Sequence, residues 1–298
     1  MKSAFISGGK WYKGNTHAHT TISDGRMIPQ ELANTYKSRG YSFLAITDHR
    51  RYGIHSELQS DNFLIFPGVE LDVVIPGTFE VHHIVGISTP DKNKFAHGHK
   101  FDYDGTKLTG KSIAELLADG GNYCIYAHPT WSQIRFEEFD KVEPIIGMEI
   151  FNYTTYLGGN TGYADAYFDR LLYDNKRAFC FACDDTHNNG KADYGGGFIM
   201  VKAEELSHKS IMQAILKGSF YASTGPEIKE FYIEDGIAHM KTSPCKTHTF
   251  YATNLRGFAQ HVVGATEFSY KLNGKEKFIR AFCEDNNGKK AWSQPIYL

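Results

Sequence analysis

At 298 residues the chain is long enough for one large α/β domain, alone or with a smaller partner, and 41% hydrophobic with 22% charged residues is the composition of a folded globular protein. A formal net charge of −2 excludes a global positive field of the kind that draws nucleic acid or an anionic membrane. The five cysteines, Cys124, Cys180, Cys183, Cys245 and Cys283, are an odd and sparse set, which excludes a secreted disulfide framework.

The opening MKSAFISGGKWYKG has neither an apolar core nor a small-residue cleavage site, and no later stretch is apolar for long enough to span a bilayer. A cytoplasmic location without membrane association is the expectation. A strand at Trp11 and Tyr12 leads into GNTHAHT and the loop TISDGRMI. A helix follows in PQELANTYKSRG, with Pro29 at its first position and Gly40 just past its end. YSFLAITDH, NFLIFPGVEL and FEVHHIVGI read as strands. SIAELLADG is a helix before the strand NYCIYAHP, and IIGMEIFN is followed by the helical YADAYFDRLLYDN. The strands RAFCFACDDTH and GGFIMVKA and the helix KSIMQAILKG complete a β/α alternation. Cys180 and Cys183 lie in an apolar strand, where residues three apart face opposite sides, so they read as packing groups.

After FYASTGPEI no helical pattern remains, and short alternating segments broken by Asn273-Gly274 and Asn287-Gly288 predict a small antiparallel sandwich-like domain. The expected division is 1–222 and 223–298.

Ionisable residues recur where the apolar runs end. His17 and His19, two apart on a strand, project from one face, as two ligands of one metal require. Asp48-His49 ends the next strand, Glu70 follows the one after, His82-His83 lie in the fourth, and His128 and Asp184-Asp185-Thr186-His187 end two more. In β/α barrels such ends converge on one mouth. Imidazole and carboxylate without cysteine suit Zn²⁺, Mn²⁺ or Fe²⁺, with Mg²⁺ as a further candidate. So many candidates exceed the needs of one ion, and a multinuclear site that activates water for attack on a phosphoryl or carbonyl centre is the chemistry expected.

In that order, HAHTTISDG, AITDH, PGVE, HIVG, AHP and DDTH resemble the motif series of the polymerase and histidinol phosphatase (PHP) superfamily. The resemblance spans the whole first domain, and the tail resembles the small β domain that follows the barrel in one subgroup. It implies a distorted (β/α)7 PHP-type barrel, up to three divalent ions and hydrolysis of phosphate esters. Carried over by position, it makes His17, His19, Asp24, His49, Glu70, His83, His128, Asp185 and His187 the metal ligands. Glu70, Asp185 and His187 take catalytic roles, Glu70 as a bridging carboxylate. Only one of His82/His83 and one of Asp184/Asp185 can face the site, since neighbours on a strand point opposite ways. His83 and Asp185 are chosen from the motif context. Asp48 reads either as a group that orients an imidazole or as a structural carboxylate.

Arg50, Arg51, Arg135 and Lys191 are the candidates for binding a phosphate oxygen. Trp131, Asn152, Tyr153 and Tyr156 should stand near the mouth, to stack on substrate or to roof the barrel. His97 and His99 form a second H-x-H in a polar loop. The expected substrate is a small phosphorylated metabolite, nucleotide or short oligonucleotide, with no stable nucleic-acid complex. Amide, ester or carbamate hydrolysis at the same ions, and a non-catalytic metal-stabilised module, are the alternatives.

Overall fold

The computed structural model describes residues 1–253 and 255–298, which form seventeen strands and six α-helices. In chain order the first part holds β1 (Lys2–Ser3), β2 (Lys10–Asn15), α1 (Pro29–Lys37), β3 (Phe43–Ala45), β4 (Leu64–Phe66), β5 (Gly68–Val74), β6 (Val81–Ile87), α2 (Gly110–Asp119) and β7 (Tyr123–Tyr126). Then come α3 (Phe136–Phe139), β8 (Gly147–Asn152), α4 (Tyr153–Gly159), α5 (Asp165–Tyr173), β9 (Phe179–Cys183), β10 (Phe198–Ala203), α6 (His208–Leu216) and β11 (Phe220–Ser223). The tail is all strand: β12 (Ile228–Glu234), β13 (Ile237–Ala252), β14 (Leu255–Lys271), β15 (Phe278–Glu284), β16 (Lys290–Ser293) and β17 (Ile296–Tyr297). No described helix is long and apolar enough to cross a membrane.

Local chemistry explains the helix starts. Pro29 opens α1, and the Glu31 carboxylate reaches back to accept from Ile28 N at 3.2 Å. Thr109 caps α2 by accepting from Ser112 N at 3.1 Å.

Two sheets result. One runs β5-β6-β7-β8-β9; the other, of twelve strands, runs from β1 through β12, β13, β15, β16, β11, β10 and β2 to β3 and β4. They meet at two isolated parallel bridges, Ala18 with Thr186 and His49 with Glu70, just beyond the ends of β2, β9 and β3. These bridges draw the motif residues together.

The alternation of strand and helix is less regular than the sequence pattern suggests. β5 and β6 pair antiparallel along their whole length, and β6 and β7 are antiparallel although α2 lies between them. The connection from Val74 to Val81 is shorter than the dozen or so residues a parallel crossover needs, so the chain turns straight back. Only β2-β3, β3-β4, β7-β8 and β8-β9 are parallel among the named strand pairs.

The tail also differs in detail. β13 and β14 form one long hairpin, with a register shift between Lys241 and Cys245 where Pro244 supplies no ladder N–H. Asp235-Gly236, with φ of 50° and 73°, is the two-residue turn from β12 to β13. Asn287-Gly288 lies between the paired β15 and β16, but Asn273-Gly274 joins β14 to β15, which both pair with β13. β11 pairs with β10 on one side and β16 on the other, so the tail continues the ladder of the first part. The tail has an apolar core of its own, which includes Phe231, Phe250 and Ile279 and takes in Phe5 from the N-terminal segment. Trp292 and Phe278 instead join the main core.

Candidate metal centre

His17 and His19 follow β2 on consecutive same-face positions, and both are buried. Glu70 stands on β5 and Asp185 in the loop after β9. Four side-chain atoms from these residues converge. His17 Nε2 lies 3.0 Å from His19 Nε2 and 3.2 Å from both Glu70 Oε2 and Asp185 Oδ1. His19 Nε2 lies 3.2 Å from Glu70 Oε2 and 3.0 Å from Asp185 Oδ1. Ligands about 2.0–2.1 Å from a tetrahedral ion stand roughly 3.3 Å apart, so this spacing is that of a coordination shell. Asp185 Oδ1 and the nearby His49 Nδ1 are buried without a hydrogen-bond partner, which a cation at the centre would supply. The residues therefore fit divalent metal ions.

Further groups extend the cluster. Glu70 Oε2 is 3.2 Å from His49 Nδ1, and its other oxygen, Oε1, is 2.9 Å from His83 Nδ1 and 3.4 Å from His128 Nε2. Asp24, half exposed at the rim, has its Oδ2 3.3 Å from His187 Nε2 and 3.8 Å from His49 Nε2. Four sets of donor atoms are each compact enough for an ion: His17/His19/Glu70/Asp185, His49/Glu70/His83, His19/Asp24/His49/His187 and, behind His17, His17/Glu149/Cys183. The nine residues singled out from the sequence thus stand together.

The electrostatics express the same crowding. Burial works to raise Glu70 and Asp185, yet the surrounding imidazoles, His17 foremost, hold both carboxyls below their usual range. Burial alone would lower His19, but the Asp185 and Glu70 carboxylates beside it bring it up to about 10. Burial dominates at His49 and takes it down to about 4.

The neighbouring residues separate cleanly. His83 faces Glu70, whereas His82 turns away, its Nδ1 2.8 Å from the Tyr126 hydroxyl. Asp184 accepts from the backbone of Gly195, Gly196 and Gly197 and from the Tyr36 hydroxyl. It shapes the loop behind the cluster. Asp48 orients no imidazole: it accepts from Thr20 and Ser23 and fixes the loop that carries Asp24.

Two positioning residues, Glu149 and Asp193, escape sequence reasoning, and a third, Asn152, was expected near the mouth but not in this role. Glu149, fully buried on β8, accepts from His17 Nδ1 at 2.7 Å and from His128 N at 2.9 Å, which leaves His17 Nε2 free to face the centre. Asn152 donates to Glu149 at 2.9 Å and to Asp185 at 3.1 Å. Asp193 accepts from His187 N, Asn188 N, Thr186 and Thr154. One cue to Glu149 was available: it is the only charged residue in the apolar run IIGMEIFN. His128 and Asp185 also sit at positive φ, 26° and 54°, a strained backbone of the kind that clusters at functional sites.

The cluster floors a cavity of about 450 Å³, walled by Trp131 on one side and by Thr154, Leu157, Gly158 and Lys191 on another. Trp131 sets its ring edge-on to His83 and His128. Of the four candidate phosphate-binding cations, only Lys191 lines this cavity. Arg50 is taken up by Asp72 through two bonds of 2.7 and 2.6 Å, and Arg135 by Glu80 at 2.8–3.0 Å. Arg51 lines a separate, open groove with Lys100 and His49. Tyr153 and Tyr156 support the wall rather than line it. The second H-x-H does not gather ligands: His97 accepts from Ile54 N, and His99 packs on Phe95 and Phe101.

No family model matches the chain. Over 86 residues, 23% of its length, it is 34% identical to the DNA polymerase/3'-5' exonuclease PolX of Bacillus subtilis (strain 168), and that match spans only 15% of the polymerase. A two-domain protein from Bacteroides vulgatus, containing a predicted PHP-like metal-dependent phosphoesterase, matches 99% of this chain and 97% of its own at a TM-score of 0.53 and 17% identity. The class defined by fold and site is an α/β protein with a buried cluster of histidines and carboxylates in metal-site geometry. Its fold is PHP-type, and the match to the two-domain Bacteroides protein extends over the β region as well.

Proposed function

We propose that the chain is a metal-dependent phosphoesterase whose substrate is a small phosphate ester. The carrying observation is the convergence of His17, His19, Glu70 and Asp185 at ligand spacing, extended by His49, His83, His128, Asp24 and His187, at the floor of an open cavity. Two or three divalent ions, zinc, manganese or iron, would be held there, with Glu70 between them because each of its oxygens faces different imidazoles. Such ions polarise a phosphoryl oxygen and activate water.

The chain's own residues do the rest. Glu149 fixes the tautomer of His17, and the Asp185 carbonyl, 2.8 Å from His187 Nδ1, does the same for His187, so that each ring presents an unprotonated Nε2. Lys191 brings positive charge to the rim, and Trp131 and Leu157 offer apolar surface to the alcohol part of the ester. The cavity volume suits a metabolite or mononucleotide. In this reading the catalytic domain is 1–222 and the β region 223–298.

The test is an assay of metal-loaded protein against phosphomonoesters, phosphodiesters, carboxyl esters and amides, alongside His19→Ala and Asp185→Ala. Hydrolysis of a phosphate ester that both substitutions abolish is expected. Turnover of carboxyl esters or amides without hydrolysis of any phosphate ester would replace the proposal with the other hydrolase class.

A further inference from the structure

We infer that Trp292, far away in the β region, is a positioning residue for the cavity: it sets the place of the α4 wall and through it the grip on the organic part of a ligand. The inference rests on the phosphoester reading only for its ligand arm.

The wall is α4, which gives Thr154, Thr155, Leu157 and Gly158 to the cavity. Seven residues of helix have little stability of their own, so the place of α4 is decided by what it packs on. Its start is fixed by Asn152, whose side-chain oxygen accepts from Thr155 N while its amide donates to Glu149 and Asp185. Its underside rests on aromatic rings. Tyr156 stands 5.7 Å, centroid to centroid, from both Phe151 and Tyr163. The returning segment is bound closely to β8: Asn152 N donates to Gly162 O at 3.0 Å, Ala164 N to Ile150 O at 2.9 Å, and Phe151 bridges to Tyr163. A Cβ at Gly162 would meet Asn152 O at 2.5 Å or less, so that approach admits only glycine.

Trp292 closes this block from below. It is fully buried, stacks on Phe151 at 6.3 Å and 22°, meets Tyr163 at 6.2 Å, and donates its indole N–H to Asp165 Oδ1 at 2.8 Å. Lys290, on the same strand, places its ammonium 4.2 Å from the Tyr163 ring. One turn along α5, Asp169 accepts from Arg280 of β15 at 2.5–2.8 Å. The β region is therefore fastened to the segment behind the wall, while Trp292 does not itself line the cavity. Removing the indole leaves the metal cluster's own contacts in place and unseats Phe151, Tyr156 and Tyr163.

The experiment compares Trp292→Leu, Trp292→Phe and, as a control for general loosening of the β region, Phe231→Leu in that region's own core. Manganese-loaded protein is titrated with phenylphosphonate, whose ring needs an apolar surface such as the wall, and with inorganic phosphate, which has no organic part. Hydrogen exchange of residues 153–164 is followed on the metal-free protein.

Trp292→Leu is expected to weaken phenylphosphonate about ten-fold, to change phosphate less than about two-fold, and to speed exchange in 153–164. Trp292→Phe should recover most of the loss, and Phe231→Leu should change neither reading. Equal weakening of both ligands, or unchanged exchange in 153–164, overturns the inference. Should the wild type bind neither ligand, the phosphoester reading fails and the exchange data alone decide the role of Trp292. If Trp292→Leu does not fold, Asp165→Ala, which removes the acceptor of the indole N–H along with a carboxylate in the first turn of α5, takes its place with the same expectations.

Discussion

Two of the places where the chain buries charge are built on opposite plans. Between β15 and α5, the buried Arg280 meets Asp169 through two of its nitrogens and lies 4.3 Å from the Tyr251 ring. Charge meets countercharge, and the pair joins the tail to the first part. At the mouth, imidazoles face imidazoles and carboxylates at about 3 Å around a common point, and Asp185 Oδ1 and His49 Nδ1 have no hydrogen-bond partner. The buried pair balances its charge by itself, although Arg280 Nη1 is left without a hydrogen-bond partner. A buried convergence of lone pairs is complete only with a cation, because leaving such groups unmatched costs several kcal/mol each.

Substitutions can break this contrast. The largest effect belongs to the centre: His19→Ala or Asp185→Ala should lower metal affinity by more than about 100-fold, measured by competition with a chelator, and abolish turnover with little loss of melting temperature in the metal-free state. Glu149→Gln comes next. It keeps the shape and one acceptor but loses the charge opposite His17, and should cost about 10–100-fold in metal affinity by the same competition.

On the other side of the comparison, Asp169→Ala should destabilise the fold by about 3 kcal/mol in denaturant titrations, because it strands the Arg280 guanidinium, and leave metal binding within about two-fold of wild type. Metal loss from Asp169→Ala at full folding would show that the two plans are not separate.

The smallest effect is a pH dependence in the tail. Burial lowers His248 below its ordinary value of 6.5, so its neutral form is the folded one. Its contribution to stability is therefore present above pH 6.5 and is lost as the pH falls below it towards the depressed folded value. Urea midpoints of the metal-free protein should fall in that window, and less so in His248→Gln.

The contrast also explains what the sequence could and could not disclose. His17, His19, His49, Glu70 and His128 were legible because each stands where an apolar run ends, and parallel strand ends share a mouth. His83 and Asp185 needed the motif context, since strand alternation admits only one of each adjacent pair and does not say which. Glu149 was hidden because it lies inside an apolar strand, where a lone carboxylate can equally mark an edge or a bulge.

Arg50 and Arg135 stand near motif residues, yet Asp72 and Glu80, which flank the turn of the antiparallel β5-β6 hairpin, claim them first. That hairpin was itself illegible as a departure from β/α alternation until the connection from Val74 to Val81 was seen to be too short for a crossover. The reach of Trp292 to Phe151 depends on packing between elements remote in sequence, which no local pattern encodes.

The central claim is that the mouth is a multinuclear metal site, and its most direct test is a calorimetric titration of chelator-stripped wild-type protein with Mn²⁺ or Zn²⁺, repeated on His19→Ala. Two or three equivalents bound by the wild type, with those that depend on His19 lost in the variant, is the predicted result. A single equivalent or none, or binding that His19→Ala leaves unchanged, would contradict it.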